Sequence, residues 1–208
     1  MKKALFVTFI VFLIIGTTSQ AIAENKTETK IVSIHPKIGE VYEEHPLNEG
    51  CSWYCGGGHY KVTASSSLKQ EGKTTYFAKN AHDFIFSTAW IEGNKDYGIG
   101  EYIDFYFGND TPRVTHVSLY NGYQKSDTSW KENTRVKKIK MYINKIPYAI
   151  LHCKDTKKEQ TFDLGKPLGH REDGKDLILR FEIMEVYPGN KYKDTAISEL
   201  NFDGIDVH

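Results

Sequence analysis

Apolar and polar residues alternate along most of the chain. In residues 99–107, IGEYIDFYF, the side chains of Ile103, Phe105 and Phe107 fall on one face and Asp104 falls on the other. Such alternation predicts half-buried β-strands, because successive side chains of a strand point to opposite faces. The same period recurs in RVTHVSLY, RVKKIKMYIN, YAILH, EQTFDL, LILRFEIMEVY and AISELNFDGIDVH. No long apolar repeat of 3.6 residues accompanies these stretches, so we expect an all-β domain.

Turn residues separate the predicted strands at short intervals. Gly, Asn, Asp and Pro recur between them, a pattern that is typical of sandwiches and jelly rolls. The predicted fold is therefore an all-β sandwich of the jelly-roll type. Residues 24–50 are polar, and their HPKIGE and EEHPLNEG segments each carry a Pro and a Gly. This composition predicts an extended N-terminal lead-in before the domain.

The first 23 residues have the features of an export signal. Lys2 and Lys3 precede the apolar run ALFVTFIVFLIIG, and the small residues AIA come directly before Glu24. The run is shorter than the roughly 20 residues that span a membrane, and no later stretch is comparably apolar. No cysteine follows the predicted cleavage site, which argues against a lipid anchor. We expect a mature chain that begins at Glu24 and is soluble outside the cytoplasm, either secreted or periplasmic.

Charge and aromatic content narrow the classes of ligand. The chain has 27 basic and 27 acidic residues, whereas binding to nucleic acid requires a concentrated basic surface. Aromatic residues make up 13% of the chain, and tyrosine is the commonest of them. Tyrosine suits both β-strands and sugar-binding surfaces, so composition alone does not choose between these roles.

The segment CSWYCGGGHY, residues 51–60, concentrates cysteines, aromatics and glycines. Cys51 and Cys55 are three residues apart, unlike the two-residue spacing of redox, haem-attachment and common zinc motifs. A zinc site that also used His59 would need a helix through GGG and a fourth ligand. In an exported protein a Cys51–Cys55 disulfide is the favoured prediction. Cys153, on a predicted strand, is expected to be a buried free thiol.

The segment NAHDFIFSTAWIEG, residues 80–93, places several oxygen donors in one loop. Asp83, Ser87 and Thr88 precede Trp90, and such a loop could wrap a hard cation such as calcium. The alternative is a turn closed by an Asx side chain, followed by a strand whose tryptophan enters the core.

The segment YNGYQKSDTSWKENTRVK, residues 120–137, mixes aromatic rings with amides and a guanidinium. Aromatic rings stack on the apolar face of a sugar, and the polar groups can bond its hydroxyls. The alternative is a tight NG turn followed by a core tryptophan. Trp53 and Tyr54 in CSWYCGGGHY raise the same question, since each ring could pack into the core or bind a sugar. The candidate glycan-binding residues are Trp53, Tyr123, Trp130, Asn133 and Arg135.

Catalytic signatures are missing from the sequence. It contains no nucleophile elbow, no phosphate-binding glycine loop and no Cys/His signature, and its eight histidines lack metalloprotease spacing. We therefore predict no catalytic residues and a protein that is not an enzyme.

The order of several motifs carries a family resemblance. ASSSL, NAHDFIFSTAWIEG, GIGEYIDFYF, NGYQKS, NTRVKKIKMYIN and FEIMEVYPGNKYKDTAISEL follow one another. This succession resembles the discoidin-like, galactose-binding-domain-like family, in particular its branch of NADase-type glycan-binding domains, named after the non-catalytic translocation domain of a streptococcal NAD glycohydrolase. The resemblance covers residues 51–208. It implies a β-sandwich jelly roll that binds carbohydrate through loops at one end and has no catalytic activity.

The same resemblance implies a structural calcium ion. Members of the wider discoidin-like group hold calcium with the loop pattern Asp-Gly-Asn-x-x-Thr-x-Trp and a Glu on the last strand. Carried over by position, these ligands become Asp83, Thr88 and Glu199. Phe84 and Ile85 stand where the pattern has Gly and Asn, which removes one side-chain ligand.

These observations lead to one expected function and one alternative. We expect an exported, non-catalytic carbohydrate-binding module that requires no cofactor, and the resemblance adds a structural calcium ion to this expectation. The alternative is a protein-interaction module that docks to a surface protein or a partner enzyme. A large exposed apolar patch without an aromatic surface of sugar size would favour this alternative.

Overall fold

The computed structural model describes residues 31–41 and 53–207 of the 208-residue chain. The predicted signal peptide and Cys51 lie outside these ranges. Within them, no helix is long and apolar enough to cross a membrane. The described residues form β1 Val32–Ile34, β2 Lys37–Ile38, β3 Lys61–Ala64, β4 Trp90–Ile91, β5 Tyr102–Phe107, β6 Val114–Asn121, α1 Asp127–Glu132, β7 Thr134–Ile143, β8 Ile146–His152, β9 Gln160–Leu168, β10 Leu177–Tyr187 and β11 Thr195–Gly204, with short 3-10 helices at Trp53–Cys55 and Ala78–His82.

The strands form the two layers of a jelly-roll sandwich. One layer has the order β3-β5-β10-β7-β8-β1 and the other the order β2-β9-β6-β11-β4. Most neighbours are antiparallel, and a short parallel pairing of β11 with β7 at Thr195 and Ala196 connects the layers. The predicted all-β jelly-roll sandwich is confirmed.

The core lies between the two layers and follows the alternation in the sequence. Ile103, Phe105 and Phe107 of β5 are fully buried, and they face the buried Phe181 and Phe202 of β10 and β11. Each large apolar side chain buried in this way stabilises the fold by about 1.5–3 kcal/mol. The alternating strands therefore bury the faces that their sequence predicts.

The N-terminal residues 31–41 cross from one layer to the other. Strand β1 runs parallel to β8, with Val32 opposite Ala149, and β2 runs antiparallel to β9, with Lys37 opposite Thr161. These residues belong to the predicted lead-in, and the structure shows that they add a strand to the edge of each layer.

Candidate functional site

The loop of residues 83–88 lies against β11 and brings together the three side chains predicted to hold calcium. Thr88 Oγ1 donates to Asp83, at 2.9 Å from Oδ1 and 2.8 Å from Oδ2. The main-chain N–H of Ile85 donates to Asp83 Oδ1 at 3.0 Å and to Glu199 Oε1 at 2.8 Å. Asp83, Thr88 and Glu199 therefore form one cluster, although they come from distant parts of the sequence.

Glu199 is the most deeply buried member of this cluster. Its side chain is fully buried, and burial together with the negative charge of Asp83 raises the pKa of Glu199 to about 9. Its Oε2 atom has no hydrogen-bond partner in the described part of the chain. A buried, unsatisfied carboxyl oxygen beside a second carboxylate requires a positive charge, which either a proton or a cation can supply.

Carboxylate and hydroxyl oxygens are the ligands that calcium prefers, so the three side chains fit this ion in donor type. They supply two carboxylates and one hydroxyl. Across residues 31–41 and 53–207, no group of three or more His, Cys, Asp and Glu side chains is placed to hold a metal. Further ligands would therefore have to be main-chain or hydroxyl oxygens.

Phe84 replaces the glycine of the calcium-loop pattern and adopts the backbone conformation that glycine favours. Its φ angle is 61°, a left-handed conformation that costs a residue with a side chain about 1 kcal/mol or more. The Phe84 ring packs against His82 and Tyr54, with ring centroids 4.8 and 5.5 Å apart. These contacts hold the loop in the conformation that places Asp83 beside Glu199.

Trp53 is a core residue, which corrects its assignment to a sugar-binding surface. Its side chain is 3% exposed, and its ring meets Phe107 and Tyr54 edge-on at centroid distances of 6.2 and 5.3 Å. The Tyr54 hydroxyl accepts a hydrogen bond from the Phe202 N–H at 2.6 Å. Trp53 and Tyr54 thus both pack into the protein.

The cysteines are described in part. Cys55 is an exposed free thiol, so the structure does not bear out the predicted Cys51–Cys55 disulfide, and Cys51 itself lies outside the described residues. Cys153 is a buried free thiol, as predicted, and its burial raises the pKa of the thiol.

Helix α1 positions the second predicted tryptophan, Trp130. Ser126 caps the helix by accepting the Ser129 N–H at 3.0 Å, which supports this short α-helix inside a segment predicted as a loop. The Trp130 Nε1 donates to the Asn121 carbonyl at 2.9 Å. The guanidinium of Arg135 lies 4.6 Å from the Trp130 ring centroid, so it covers one face of a partly exposed ring.

Arg135 and Asn133 hold this loop from within. Arg135 pairs with Asp155 through two bonds of 2.9 and 3.0 Å, and its third donor reaches the Asn133 carbonyl at 2.9 Å. The Asn133 side chain donates to the Ser129 carbonyl at 2.9 Å. Both side chains are less than a tenth exposed, so their polar groups are largely engaged by the protein itself.

Tyr123 lies next to this loop, in a small second core. Its side chain is 7% exposed, its ring packs near Tyr76, and its hydroxyl donates to the Ser87 carbonyl at 3.3 Å. Burial raises the pKa of Tyr123. Among the five predicted glycan-binding residues, four are buried and Trp130 is the one that is partly exposed.

A polar groove of about 450 Å³ on the outer face of β9, β6 and β11 was not predicted from the sequence. His116, Asp163 and Asp203 lie side by side there. The residues come from separate strands, and the strand register that aligns them is not visible in any single segment. The signal that could have found them is the outward-facing charge in EQTFDL and NFDG.

The fold and the buried carboxyl pair define the class of discoidin-like β-sandwich domains. Residues 53–203 match the model of the family described as NAD glycohydrolase translocation F5/8 type C domain. The chain belongs to this family, and the predicted resemblance is confirmed.

Solved structures with a similar fold include CBM32 domains. The CBM32-1 and CBM32-2 domains of Clostridium perfringens ZmpB, solved in complex with GalNAc, share 14% sequence identity at a TM-score of 0.56, over 86% of this chain and 42% of that one. A second ZmpB structure, which includes the M60 catalytic domain, shares 15% identity at a TM-score of 0.57, over 87% of this chain and 18% of that one. This chain thus spans less than half the length of either. No curated protein sequence matches it.

Proposed function

We propose that this protein is an exported, non-catalytic carbohydrate-binding module. The observation that carries the proposal is its fold, which it shares with the CBM32 domains of ZmpB. Its membership of a family described by a translocation F5/8 type C domain supports a role without catalysis. The export signal predicted for residues 1–23 supports a location in the periplasm or the extracellular medium.

Trp130 is the proposed aromatic contact for the glycan. One face of its ring rests on Arg135, which Asp155 fixes from behind. A ring held in this way has little side-chain entropy left to lose when a sugar stacks on its open side. Arg135 and Asn133 then act as positioning residues, since their polar groups already bond the loop.

A glycan array of the mature protein tests this proposal. We expect specific binding that Trp130→Ala weakens by up to about tenfold, because aromatic stacking contributes about 0.5–1.5 kcal/mol. Tyr60→Ala is the matched control, since Tyr60 is an aromatic residue directly before β3 and is 62% exposed. An array on which Trp130→Ala binds as tightly as the unchanged protein would remove Trp130 from the site.

We also propose that Asp83, Thr88 and Glu199 hold a structural calcium ion. Bound calcium would supply the positive charge that the buried carboxyl pair lacks. The same three side chains fix the loop of residues 83–88 on β11, so ion binding would stabilise the fold at some distance from Trp130.

Thermal unfolding with calcium and with a chelator measures this directly. A ligand at 100 times its dissociation constant stabilises the native state by about 2.7 kcal/mol, so calcium should raise the midpoint by several degrees. Glu199→Gln should abolish the increase, and Glu172→Gln, which alters an exposed carboxylate elsewhere, should retain it. Identical midpoints with calcium and chelator in the unchanged protein would rule out the ion.

A second candidate function is docking to a protein. The outer face of β5, β10 and β7 carries Tyr102, Tyr106 and Tyr142, and Arg180 lies 3.5 Å from the Tyr102 ring centroid. Tyrosine and arginine are enriched in protein interfaces, which is the observation in favour of this candidate. An array without glycan binding would make this face the next surface to test.

A further inference from the structure

The floor of the polar groove is a row of charged side chains on neighbouring strands. In the register of the sheet, His116 of β6 lies directly opposite Asp163 of β9 on one side and Asp203 of β11 on the other. Side chains in such positions have Cβ atoms about 4.5–5.5 Å apart. Beneath the row, Val117, Phe162 and Phe202 are buried in the core. The three side chains therefore stand on a rigid support.

A second polar row lies beside the first. Ser118 and Thr161 are register partners, and their hydroxyl oxygens are 3.0 Å apart. Register shifts occur next to His116 and Asp203, at Val114/His116 and at Asp203/Gly204. Such irregularities re-aim side chains on a sheet surface. The groove thus presents hydroxyl, imidazole and carboxylate groups together.

The N-terminal residues form the remaining wall of the groove. Strand β2 places Lys37 beside Thr161, and the Gly39 N–H donates to the Glu159 carbonyl at 2.9 Å. A Cβ atom on Gly39 would lie 3.1 Å from Glu159 Oε2, so glycine lets the chain approach this carboxylate closely. This wall precedes residues 53–203, the part of the chain that matches the family model.

The charges in the groove are not neutralised within the described chain. Within residues 31–41 and 53–207, none of the three groove carboxylates forms an ion pair with a basic side chain, and Lys37 forms none with an acidic one. The three carboxylates are those of Glu159, Asp163 and Asp203. Asp163 Oδ1 and Asp203 Oδ1 each accept one main-chain N–H at 2.8 Å, from Gly165 and Gly204. The second oxygen of each carboxylate remains for a ligand.

His116 offers a hydrogen-bonding atom of another kind. Its Nδ1 lies 2.9 Å from Thr115 Oγ1, which orients the ring and leaves Nε2 for a ligand. Three carboxylates against one lysine give the groove a negative charge, whereas hydroxyl and imidazole groups suit uncharged polar partners. The groove therefore favours a ligand that combines a cationic donor with several hydroxyls.

We propose that this groove binds a saccharide unit that carries a free amino group. Ammonium groups of such a saccharide would form charge-assisted hydrogen bonds with Asp163 and with Asp203, which lie on either side of His116, and the sugar hydroxyls would bond His116 and Thr161. This inference rests on the proposed carbohydrate-binding function and assigns to it a second site, separate from Trp130. The volume of about 450 Å³ accommodates a short oligosaccharide.

Titration calorimetry with two matched ligands tests the proposal. Fully deacetylated glucosamine oligomers carry ammonium groups at weakly acidic pH, whereas N-acetylglucosamine oligomers of the same length carry none. We expect binding of the deacetylated oligomers, weakened by added salt, and at least tenfold weaker binding of the acetylated ones.

Substitutions locate the binding on the molecule. Asp163→Asn and Asp203→Asn each keep the oxygen that accepts the main-chain N–H, and each should weaken binding of the deacetylated oligomer at least tenfold. Lys37→Gln should strengthen binding of this oligomer about twofold to threefold, because the variant loses an exposed positive charge that repels the ammonium groups. Glu172→Gln, which alters a carboxylate outside the groove, should leave the affinity unchanged. Thermal unfolding of each variant verifies that it folds.

Each contrary result has a defined meaning. Equal affinity for both oligomers would overturn recognition of the amino group, and unchanged affinity in both aspartate variants would overturn the location. If the deacetylated oligomer does not bind while a glycan on the array binds through Trp130, the groove proposal fails and the proposed function stands. If the oligomer binds and Trp130→Ala leaves its affinity unchanged, the groove is confirmed independently of the Trp130 site.

Discussion

Trp53 and Trp130 have the same side chain and the same predicted role, but the protein uses them differently. The Trp53 ring is 3% exposed and packs against Phe107 in the core. Trp130 lies on the short helix α1 and is partly exposed to solvent, and the Arg135 guanidinium covers one face of its ring. A tryptophan among polar and glycine residues can thus complete a core or form a surface.

The neighbours of each ring account for the difference. Gly57 and Gly204 let the main chain approach Trp53, since a Cβ atom at either position would lie 2.5 or 2.7 Å from its ring. Trp130 also has a glycine neighbour, since a Cβ atom on Gly122 would lie 2.8 Å from its ring, but its other neighbour is the charged Arg135, which Asp155 fixes in place. The paired guanidinium therefore distinguishes the surroundings of Trp130 from those of Trp53.

The largest effect is expected from Trp53→Ala. Removing a buried tryptophan destabilises a domain by about 3–5 kcal/mol, because packing is lost and a cavity forms. Trp130→Ala should cost less, about 1–2 kcal/mol, because its ring is partly exposed but donates a hydrogen bond to the Asn121 carbonyl. Denaturant unfolding of both variants measures the two free energies. Equal losses would contradict the assignment of Trp53 to the core and Trp130 to the surface.

A smaller effect is expected from Gly57→Ala. The added methyl group would lie 2.5–2.8 Å from three atoms of the Trp53 ring, and overpacking of this kind costs about 1–3 kcal/mol. Gly56→Ala is the matched control, because its nearest neighbours are 3.7–3.9 Å away. The difference between their unfolding free energies isolates the ring contact. A Gly57→Ala variant as stable as Gly56→Ala would show that the Trp53 ring is not held against this glycine.

The smallest effect is expected from Asp155→Asn, which weakens the support behind Trp130. One of the two bonds from Arg135 becomes neutral and the other is lost, since the amide NH2 cannot accept it, and because Asp155 is 38% exposed we expect a loss of about 1 kcal/mol. Affinity for the array glycan should fall with it, since Arg135 would no longer be fixed.

Asp127→Asn is the control for this substitution. It removes the exposed Asp127–Lys157 pair, whose atoms are 2.8 Å apart, from the same loop region. Exposed pairs contribute little, so this variant should retain both stability and affinity. A loss of affinity in Asp127→Asn equal to that in Asp155→Asn would indicate a general effect of charge and would contradict the positioning role of Arg135.

The strands could be predicted because burial of one face makes apolar residues recur at every second position of the sequence. Phe105 and Leu179, for example, are buried where the alternation places them. The period could not predict β1 and β2, which are three and two residues long and expose most of their side chains. It also missed α1, whose six residues depend on the Ser126 cap and on Trp130 packing rather than on an apolar repeat.

The sites were predictable to different degrees. The pattern of the calcium loop identified Asp83, Thr88 and Glu199, and the structure brings them together. The core position of Trp53 depends on Phe107 and Gly204, which are distant in sequence, so local spacing could not decide it. Asp163 and Asp203 meet beside His116 through strand register, which a single segment does not contain.

The N-terminal residues 31–41 have a consequence for how the domain can be produced. Strand β1 pairs with the outer side of β8, and β2 pairs with the outer side of β9. Without these short strands, the longer strands β8 and β9 would become the edges of the two layers, and their unpaired main-chain N–H and C=O groups are templates for intermolecular pairing. A recombinant protein that starts at residue 51 would keep the core but expose these longer edges, so a start before residue 31 should lower its tendency to associate.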